Sequence, residues 1–230
     1  MNTLLGLLAE TPSAAEQPRV TPIREQAQRP AVSPTASVND EQIRALVQQL
    51  FFRRESKPVR HVGFVPIEAS TETATLCLEV ARVLAEEDRY DVGLIDAQPG
   101  SVPLQTQLQI PAPNCAEANW PIKPRLWMVP RQSWLPDACG QRITDQNLSR
   151  LRELTTEFDF STLWCPPVSW LTASIGQACD GLVLVLTANK TRRLVAAQIK
   201  DQLSKAQVPL LGTVLAERRF PVPQGLYRSL

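Results

Sequence analysis

The chain has 230 residues, enough for a domain with a sizeable buried core, and its 24 lysine and arginine residues are nearly balanced by 23 aspartate and glutamate residues. This balance creates no global electrostatic field for nucleic acid, so no nucleic-acid partner is expected. The five cysteines include no C-x-x-C pair and the chain has one histidine, so no metal site is expected, and scattered thiols suit a reducing cytoplasm. No apolar run approaches the roughly 20 residues that span a bilayer, which also favours a cytoplasmic location.

Residues 1–38 are predicted to be a disordered N-terminal segment or linker. Proline, alanine, glutamine, serine and threonine dominate residues 10–38, and no aromatic residue occurs before Phe51. Such a composition buries too little apolar surface to offset the entropy lost on ordering. The leucine-rich opening "MNTLLGLLAE" is interpreted as a loose chain end, with a short docking peptide as the alternative.

From residue 39 to residue 216, apolar periodicity predicts alternating strands and helices. The first helix lies in "VNDEQIRALVQQLFF", where Ile43, Val47 and Leu50 recur at helical spacing. Strands are predicted at 59–65, 91–96, 125–129, 159–164, 181–186 and 209–216, and further helices at 71–88, 144–158 and 191–206. Residues 99–124 are predicted to form a surface loop. This alternation, without hairpin signals, predicts an α/β fold: a doubly wound, mostly parallel sheet with helices on both faces, followed by a C-terminal tail at 217–230.

Four segments of the sequence carry a resemblance to a known family. They are "GLIDAQPG" (93–100), "EFDFSTLWCPPVS" (157–169), "CDGLVLVLTANKTRR" (179–193) and "LLGTVLAERR" (210–219). Together they resemble the cytoplasmic kinase domain of bacterial tyrosine kinases (BY-kinases), which belongs to the MinD/ParA-type deviant-Walker P-loop ATPases. The resemblance runs from about residue 41 to the C-terminus and implies a P-loop NTPase fold.

The resemblance locates a phosphate loop from which the phosphate-binding residues are missing. Alignment on "LCLEVA" places Ser70 and Glu72 at the loop glycines, Thr73 at the Walker lysine and Ala74 at the magnesium-binding hydroxyl. In such a loop, glycine lets backbone N–H groups approach phosphate, while lysine neutralises the β and γ oxygens. The vestigial loop comprises Ser70, Thr71, Glu72, Thr73, Ala74 and Thr75.

The remaining family positions are also degenerate. Asp96 matches the first Walker A′ aspartate, but Gln98 occupies the second, and Trp164 stands where the Walker B aspartate would hold Mg²⁺. Ala216 replaces the asparagine that reads adenine. The family's C-terminal tyrosine cluster is absent, since Tyr227 is the only tyrosine of the tail.

Loss of the lysine together with the Walker B aspartate predicts a neutralised pocket that an indole partly fills. An unpaired buried charge costs several kcal/mol, so both signs are expected to disappear together. Asp96 remains, and we expect it to accept hydrogen bonds from the loop 69–75, either from backbone N–H groups or from the hydroxyls of Ser70, Thr71 or Thr73. The alternative for Asp96 is a weak metal site.

Glu41 and Arg44 are candidate interface residues. The resemblance places them at the first two positions of the E-x-x-R-x-x-R motif with which BY-kinases pack subunits into rings, whereas the third position is Val47. A homo-oligomer is therefore possible, and a solvated face of an amphipathic helix is the alternative.

The resemblance implies a catalytically inactive, BY-kinase-like pseudokinase that needs no cofactor. Its expected role is to regulate exopolysaccharide or capsule biosynthesis and export by binding a partner, the cytoplasmic part of a membrane-embedded polysaccharide co-polymerase or export protein. Such binding would recruit the chain to the inner face of the cell membrane. One alternative is an active or weakly active tyrosine autokinase or ATPase that uses ATP and Mg²⁺, with Tyr227 as acceptor. The other is a MinD/ParA-like positioning protein.

Overall fold

The computed structural model describes residues 40–53, 57–68, 72–87, 89–100, 102–113, 119–136, 143–188 and 191–216. The predicted N-terminal segment 1–38 and tail 217–230 therefore lie outside the described residues, as do Ser70, Thr71 and Tyr227. In chain order, the elements are α1 (Asp40–Phe51), β1 (His61–Pro66), α2 (Glu72–Ala85), β2 (Val92–Asp96), α3 (Leu104–Gln107), β3 (Trp120–Lys123), β4 (Leu126–Val129), a 3-10 turn (Arg131–Ser133), α4 (Asp145–Thr156), β5 (Phe160–Trp164), α5 (Trp170–Gly176), β6 (Gly181–Thr187), α6 (Arg193–Lys205) and β7 (Leu210–Ala216).

The strands form one seven-stranded sheet in the order β3-β4-β2-β5-β1-β6-β7. All neighbouring pairs are parallel except β3 with β4. The predicted α/β class with a mostly parallel sheet is confirmed. The predicted strands and helices agree with the observed bounds to within three residues, because each has a strong apolar period.

Two apolar clusters cover the two faces of the sheet. One packs α1 and α2 on the first face, where Val62 and Phe64 of β1 point. The other packs α4, α5 and α6 on the opposite face, where Val65 of the same strand points. The central strands β2 and β5 are buried at every position, as expected for parallel strands covered on both sides.

The expectation of a structureless loop at 99–124, without a hairpin, was wrong. This stretch contains α3 and β3, and β3 pairs antiparallel with β4. The turn between them places Arg125 at φ 58°, a left-handed conformation for which the sequence offers no glycine. β3 has only four residues and includes Pro121, which is tolerated because this strand lies at the sheet edge. The hairpin therefore lacks the usual sequence signals.

None of the described helices is both long and apolar enough to cross a bilayer.

Candidate functional site

The candidate site lies at the carboxyl edge of the sheet, by which we mean the edge where the parallel strands end. α2 begins there at Glu72, shortly after β1, and its first turn carries the described part of the vestigial loop. Thr73 and Ala74 are fully buried, Glu72 is half-buried and Thr75 is exposed. The first turn of this helix is therefore packed into the domain at the positions where the resemblance places the Walker lysine and the magnesium-binding hydroxyl.

Asp96 and Trp164 are neighbours at the ends of adjacent strands. They are register partners in the β2–β5 pair, and the next amide, Ala97 N–H, donates to the Trp164 carbonyl oxygen at 3.0 Å. The Trp164 side chain is only 3% exposed and belongs to the apolar cluster that also contains Phe64 and Ala74. An indole thus occupies buried space at the position where the resemblance places a metal-binding carboxylate.

Two of the polar atoms that are buried without a hydrogen-bond partner in the described part of the chain belong to the residues of the candidate site. They are the Thr73 hydroxyl oxygen and the Trp164 indole nitrogen Nε1. An unsatisfied buried polar group costs about 1–3 kcal/mol, which the packing of the surrounding apolar side chains has to offset. Both atoms are neutral, so neither residue can neutralise phosphate as lysine does or ligate Mg²⁺ as aspartate does.

The Asp96 carboxylate receives its described hydrogen bonds from the segment that follows its own strand. The Gln98 amide donates to Oδ1 at 3.1 Å and the Leu104 amide donates to Oδ2 at 2.9 Å. The Trp134 indole nitrogen donates to the Asp96 carbonyl oxygen at 2.9 Å. The carboxylate therefore links the end of β2 to Gln98 and to Leu104, the first residue of α3.

The prediction that the Thr73 hydroxyl donates to Asp96 was wrong, because this hydroxyl has no hydrogen-bond partner among the described residues. Ser70 and Thr71 lie outside those residues, so that part remains a prediction. The Leu104 donor was missed because 99–124 was interpreted as a surface loop, although Leu104 is fully buried. Gln98, which the resemblance assigns to the second Walker A′ position, contributes its backbone amide to Asp96.

The pKa of Asp96 is raised to about 6, because burial disfavours the charged carboxylate. The Leu104 and Gln98 amides and the positive charge of Arg131 act in the opposite direction and limit the rise. Arg131, which directly follows β4, was not singled out from the sequence. Its place after a parallel strand could have located it at the same edge, since parallel strands end together.

The interface candidates Glu41 and Arg44 lie on the exposed side of α1. Arg44 Nη2 pairs within the chain with Glu86 Oε2 of the segment following α2, at 2.6 Å. Arg82 of α2 bridges Asp40, Glu79 and Glu86. Arg44 thus contributes to the packing of α1 on α2, and a role of Glu41 and Arg44 between subunits remains a prediction.

Comparison with known proteins finds structures of similar fold but no matching sequence family. No model of a known protein family matches the sequence, and no curated protein does. Among solved structures, the kinase domain of the Escherichia coli tyrosine kinase Etk is similar with a TM-score of 0.60 and 16% identity, over 80% of this chain and 79% of that one. The BceF tyrosine kinase domain is similar with a TM-score of 0.57 and 22% identity, over 76% of each chain.

A plasmid partition protein from Borrelia burgdorferi is also similar, with a TM-score of 0.53 and 13% identity, over 76% of this chain and 86% of that one. At such low identities the likeness concerns the fold. It confirms the resemblance predicted from the four sequence segments. This chain therefore has the P-loop fold that BY-kinase cytoplasmic domains share with ParA-type ATPases.

Proposed function

We propose that the chain is a catalytically inactive, BY-kinase-like protein that regulates exopolysaccharide or capsule biosynthesis and export by binding a partner. The observation that carries this proposal is the buried indole of Trp164 beside Asp96. Phosphoryl transfer depends on a metal ion and on cations that stabilise the transferring group. With Trp164 and Thr73 at the metal and lysine positions, those means of stabilisation are missing, and no cofactor is required.

The fold of the similar kinase domains supports the polysaccharide context of the proposal. The partner that we propose is the cytoplasmic part of a membrane-embedded polysaccharide co-polymerase or export protein, which would recruit the chain to the inner face of the membrane. Assembly into a homo-oligomer through Glu41 and Arg44 is a further part of the proposal. In this role the nucleotide-binding architecture serves as a scaffold.

Titration of the full chain with ATP and Mg²⁺, by calorimetry and thermal shift, tests the loss of nucleotide binding. A ligand at about 100 times its Kd stabilises the folded state by roughly 2.7 kcal/mol, so binding would be visible as a higher melting temperature. We expect no heat and no shift at millimolar nucleotide. Saturable binding that Asp96→Ala abolishes would instead support a working ATPase, and phosphate on Tyr227 would identify an autokinase. Saturable binding without transfer to tyrosine, in a cycle of ATP hydrolysis, would favour a MinD/ParA-like positioning protein.

A further inference from the structure

The exposed large apolar side chains of the described residues all lie near the carboxyl edge of the sheet. They follow the ends of β2, β5 and β6 or lie at the end of β7: Val102, Trp170, Leu194, Val195 and Leu215. Three of the five belong to one corner, formed by the first turn of α6 and the end of β7. Leu194 is 78% exposed, Leu215 52% and Val195 38%. We call these three side chains, with Arg192 and Arg193, the α6–β7 corner.

The corner continues an apolar stripe that is buried further along α6. Val195, Ile199 and Leu203 follow one another at a spacing of four residues, so they share one face of the helix. Ile199 and Leu203 are buried against the sheet, whereas Val195 is left uncovered at the carboxyl edge. The domain thus covers Ile199 and Leu203 and leaves Val195, in the first turn of the helix, partly exposed.

Leu215 extends the open surface onto the edge strand. It is the register partner of Leu186 in the parallel β6–β7 pair, so both side chains point to the same face of the sheet. Leu186 belongs to the apolar cluster beneath α6, which identifies this face as the α6 side. Leu215, Val195 and Leu194 therefore lie on one side of the sheet at one end of it.

Two arginines border these side chains. Arg192 and Arg193 are exposed, and neither guanidinium has an ion-pair partner within the ranges that the structure describes. The arginines of α1 and α2 differ in this respect, since Arg44 and Arg82 are both paired with carboxylates. The corner combines exposed apolar area with two arginines that have no ion pair among the described residues.

We propose that the α6–β7 corner binds a peptide segment of a partner protein that carries both acidic and large apolar side chains. Acidic groups would pair with Arg192 and Arg193, and apolar side chains would cover Leu194, Val195 and Leu215. This assignment rests on the proposed function, because it names the surface with which the regulator engages its partner.

Charge separates this occupant from the C-terminal tail of the chain itself. The tail begins directly after Ala216 and is near enough to reach the corner, but Arg218, Arg219 and Arg228 outnumber its single acidic residue, Glu217. A basic segment would be repelled by the corner arginines. A symmetric contact between two copies is disfavoured for the same reason, since it would bring two sets of the same arginines together.

A library of random twelve-residue peptides displayed on phage, panned against the full chain, tests the proposal. We expect the enriched peptides to be net acidic and to contain at least two large apolar residues. Binding of a synthetic enriched peptide, measured by fluorescence anisotropy, should weaken at least tenfold in the L194S/L215S protein and in the R192E/R193E protein. V102S is the matched control, because it removes an exposed apolar side chain from the same edge, and it should leave binding unchanged.

Other outcomes would overturn the proposal. No enrichment, enrichment of basic peptides, or equal binding to L194S/L215S would each show that the corner does not select this chemistry. Tighter peptide binding by the full chain carrying F220S and L226S would identify the tail as the occupant. A fall in oligomeric mass on L215S would identify a second copy. Sedimentation with phosphatidylserine vesicles that R192E/R193E abolishes would identify a membrane surface. None of these readouts depends on ATP, so a failure here is distinguishable from nucleotide binding that contradicts the proposed function.

Discussion

The two edges of the sheet each hold an aspartate that accepts two backbone amides, yet the two pKa values shift in opposite directions. At the amino edge, Asp180 accepts from the Arg60 and His61 amides at 2.9 and 3.0 Å. Burial opposes its ionisation, but those amides, with His61 and Lys57, outweigh burial and lower its pKa. At the carboxyl edge, Asp96 has a similar pair of amides, but burial prevails and raises its pKa to about 6.

Solvent access accounts for the contrast. The Asp180 side chain keeps 19% of its surface exposed and lies 3.6 Å from the Lys57 ammonium group, whereas Asp96 is completely buried. Two amide donors stabilise a carboxylate that still contacts water, but they do not replace the hydration of a fully buried one. The amino edge is thus held by an ordinary ionised aspartate, and the carboxyl edge keeps an aspartate that is costly to ionise.

Replacing Trp164 is the strongest test of how the carboxyl edge is filled. We expect Trp164→Ala to lower the free energy of unfolding by about 3–5 kcal/mol, because a large buried side chain leaves a cavity. Trp164→Phe is the matched control, since it keeps an aromatic ring and removes only the pyrrole part of the indole, whose N–H group has no described partner. Urea denaturation of the three proteins measures the effect. A loss below about 1 kcal/mol for Trp164→Ala would mean that the indole does not fill the site.

The pH dependence of stability tests the contrast between the two aspartates. The pKa of Asp96 is higher in the folded state than its usual value of 3.8, so the folded state binds more protons between about pH 4 and 6. The stabilisation of the folded state by the protonation of Asp96 is complete below pH 3.8 and is lost as the pH rises through 6. The two-unit difference corresponds to about 3 kcal/mol. The contribution of Asp180 to stability depends on pH in the opposite direction, since it is lost as the pH falls through the lowered pKa of this residue.

Urea titrations at a series of pH values check this expectation with Asp96→Asn and Asp180→Asn as a matched pair. The free energy of unfolding of the parent minus that of Asp96→Asn should fall from pH 4 to pH 6. The titration of His61 cancels in this difference, because it occurs in both proteins. The free energy of unfolding of the parent minus that of Asp180→Asn should instead grow as the pH rises through the lowered pKa of Asp180 toward the usual value of 3.8. A difference for Asp96→Asn that stays constant across pH 4–6 would contradict the raised pKa.

The sequence predicted the structure correctly where a strong apolar periodicity defined a strand or helix, or where the resemblance fixed the position of a residue at the end of a strand. Strands β2 and β6 follow from continuous apolar runs. The resemblance assigned Trp164 and Asp96 to two family positions, and the structure brings the two residues together as register partners. The donors to Asp96 were not predictable in the same way. Leu104 reaches Asp96 through a loop and a helix of four residues, which leave no periodic signal in the sequence. The exposure of Val195 depends on where the sheet stops covering α6, which the helical period alone does not show.

The smallest expected effect concerns the ion pairs that join α1 to α2, away from both edges. Arg82 bridges Asp40 and Glu86 with a side chain only 23% exposed, whereas the ion pair described for Arg44 joins it to Glu86 with a side chain 55% exposed. We expect Arg82→Met to lower the free energy of unfolding by about 1 kcal/mol and Arg44→Met by less than about 0.5 kcal/mol, because exposed pairs are screened by solvent. The difference between the two should shrink at high salt. Light scattering on Arg44→Met adds a second readout: a lower mass with nearly unchanged stability would assign Arg44 to a subunit interface, and an unchanged mass would leave it the modest role of holding α1 on α2.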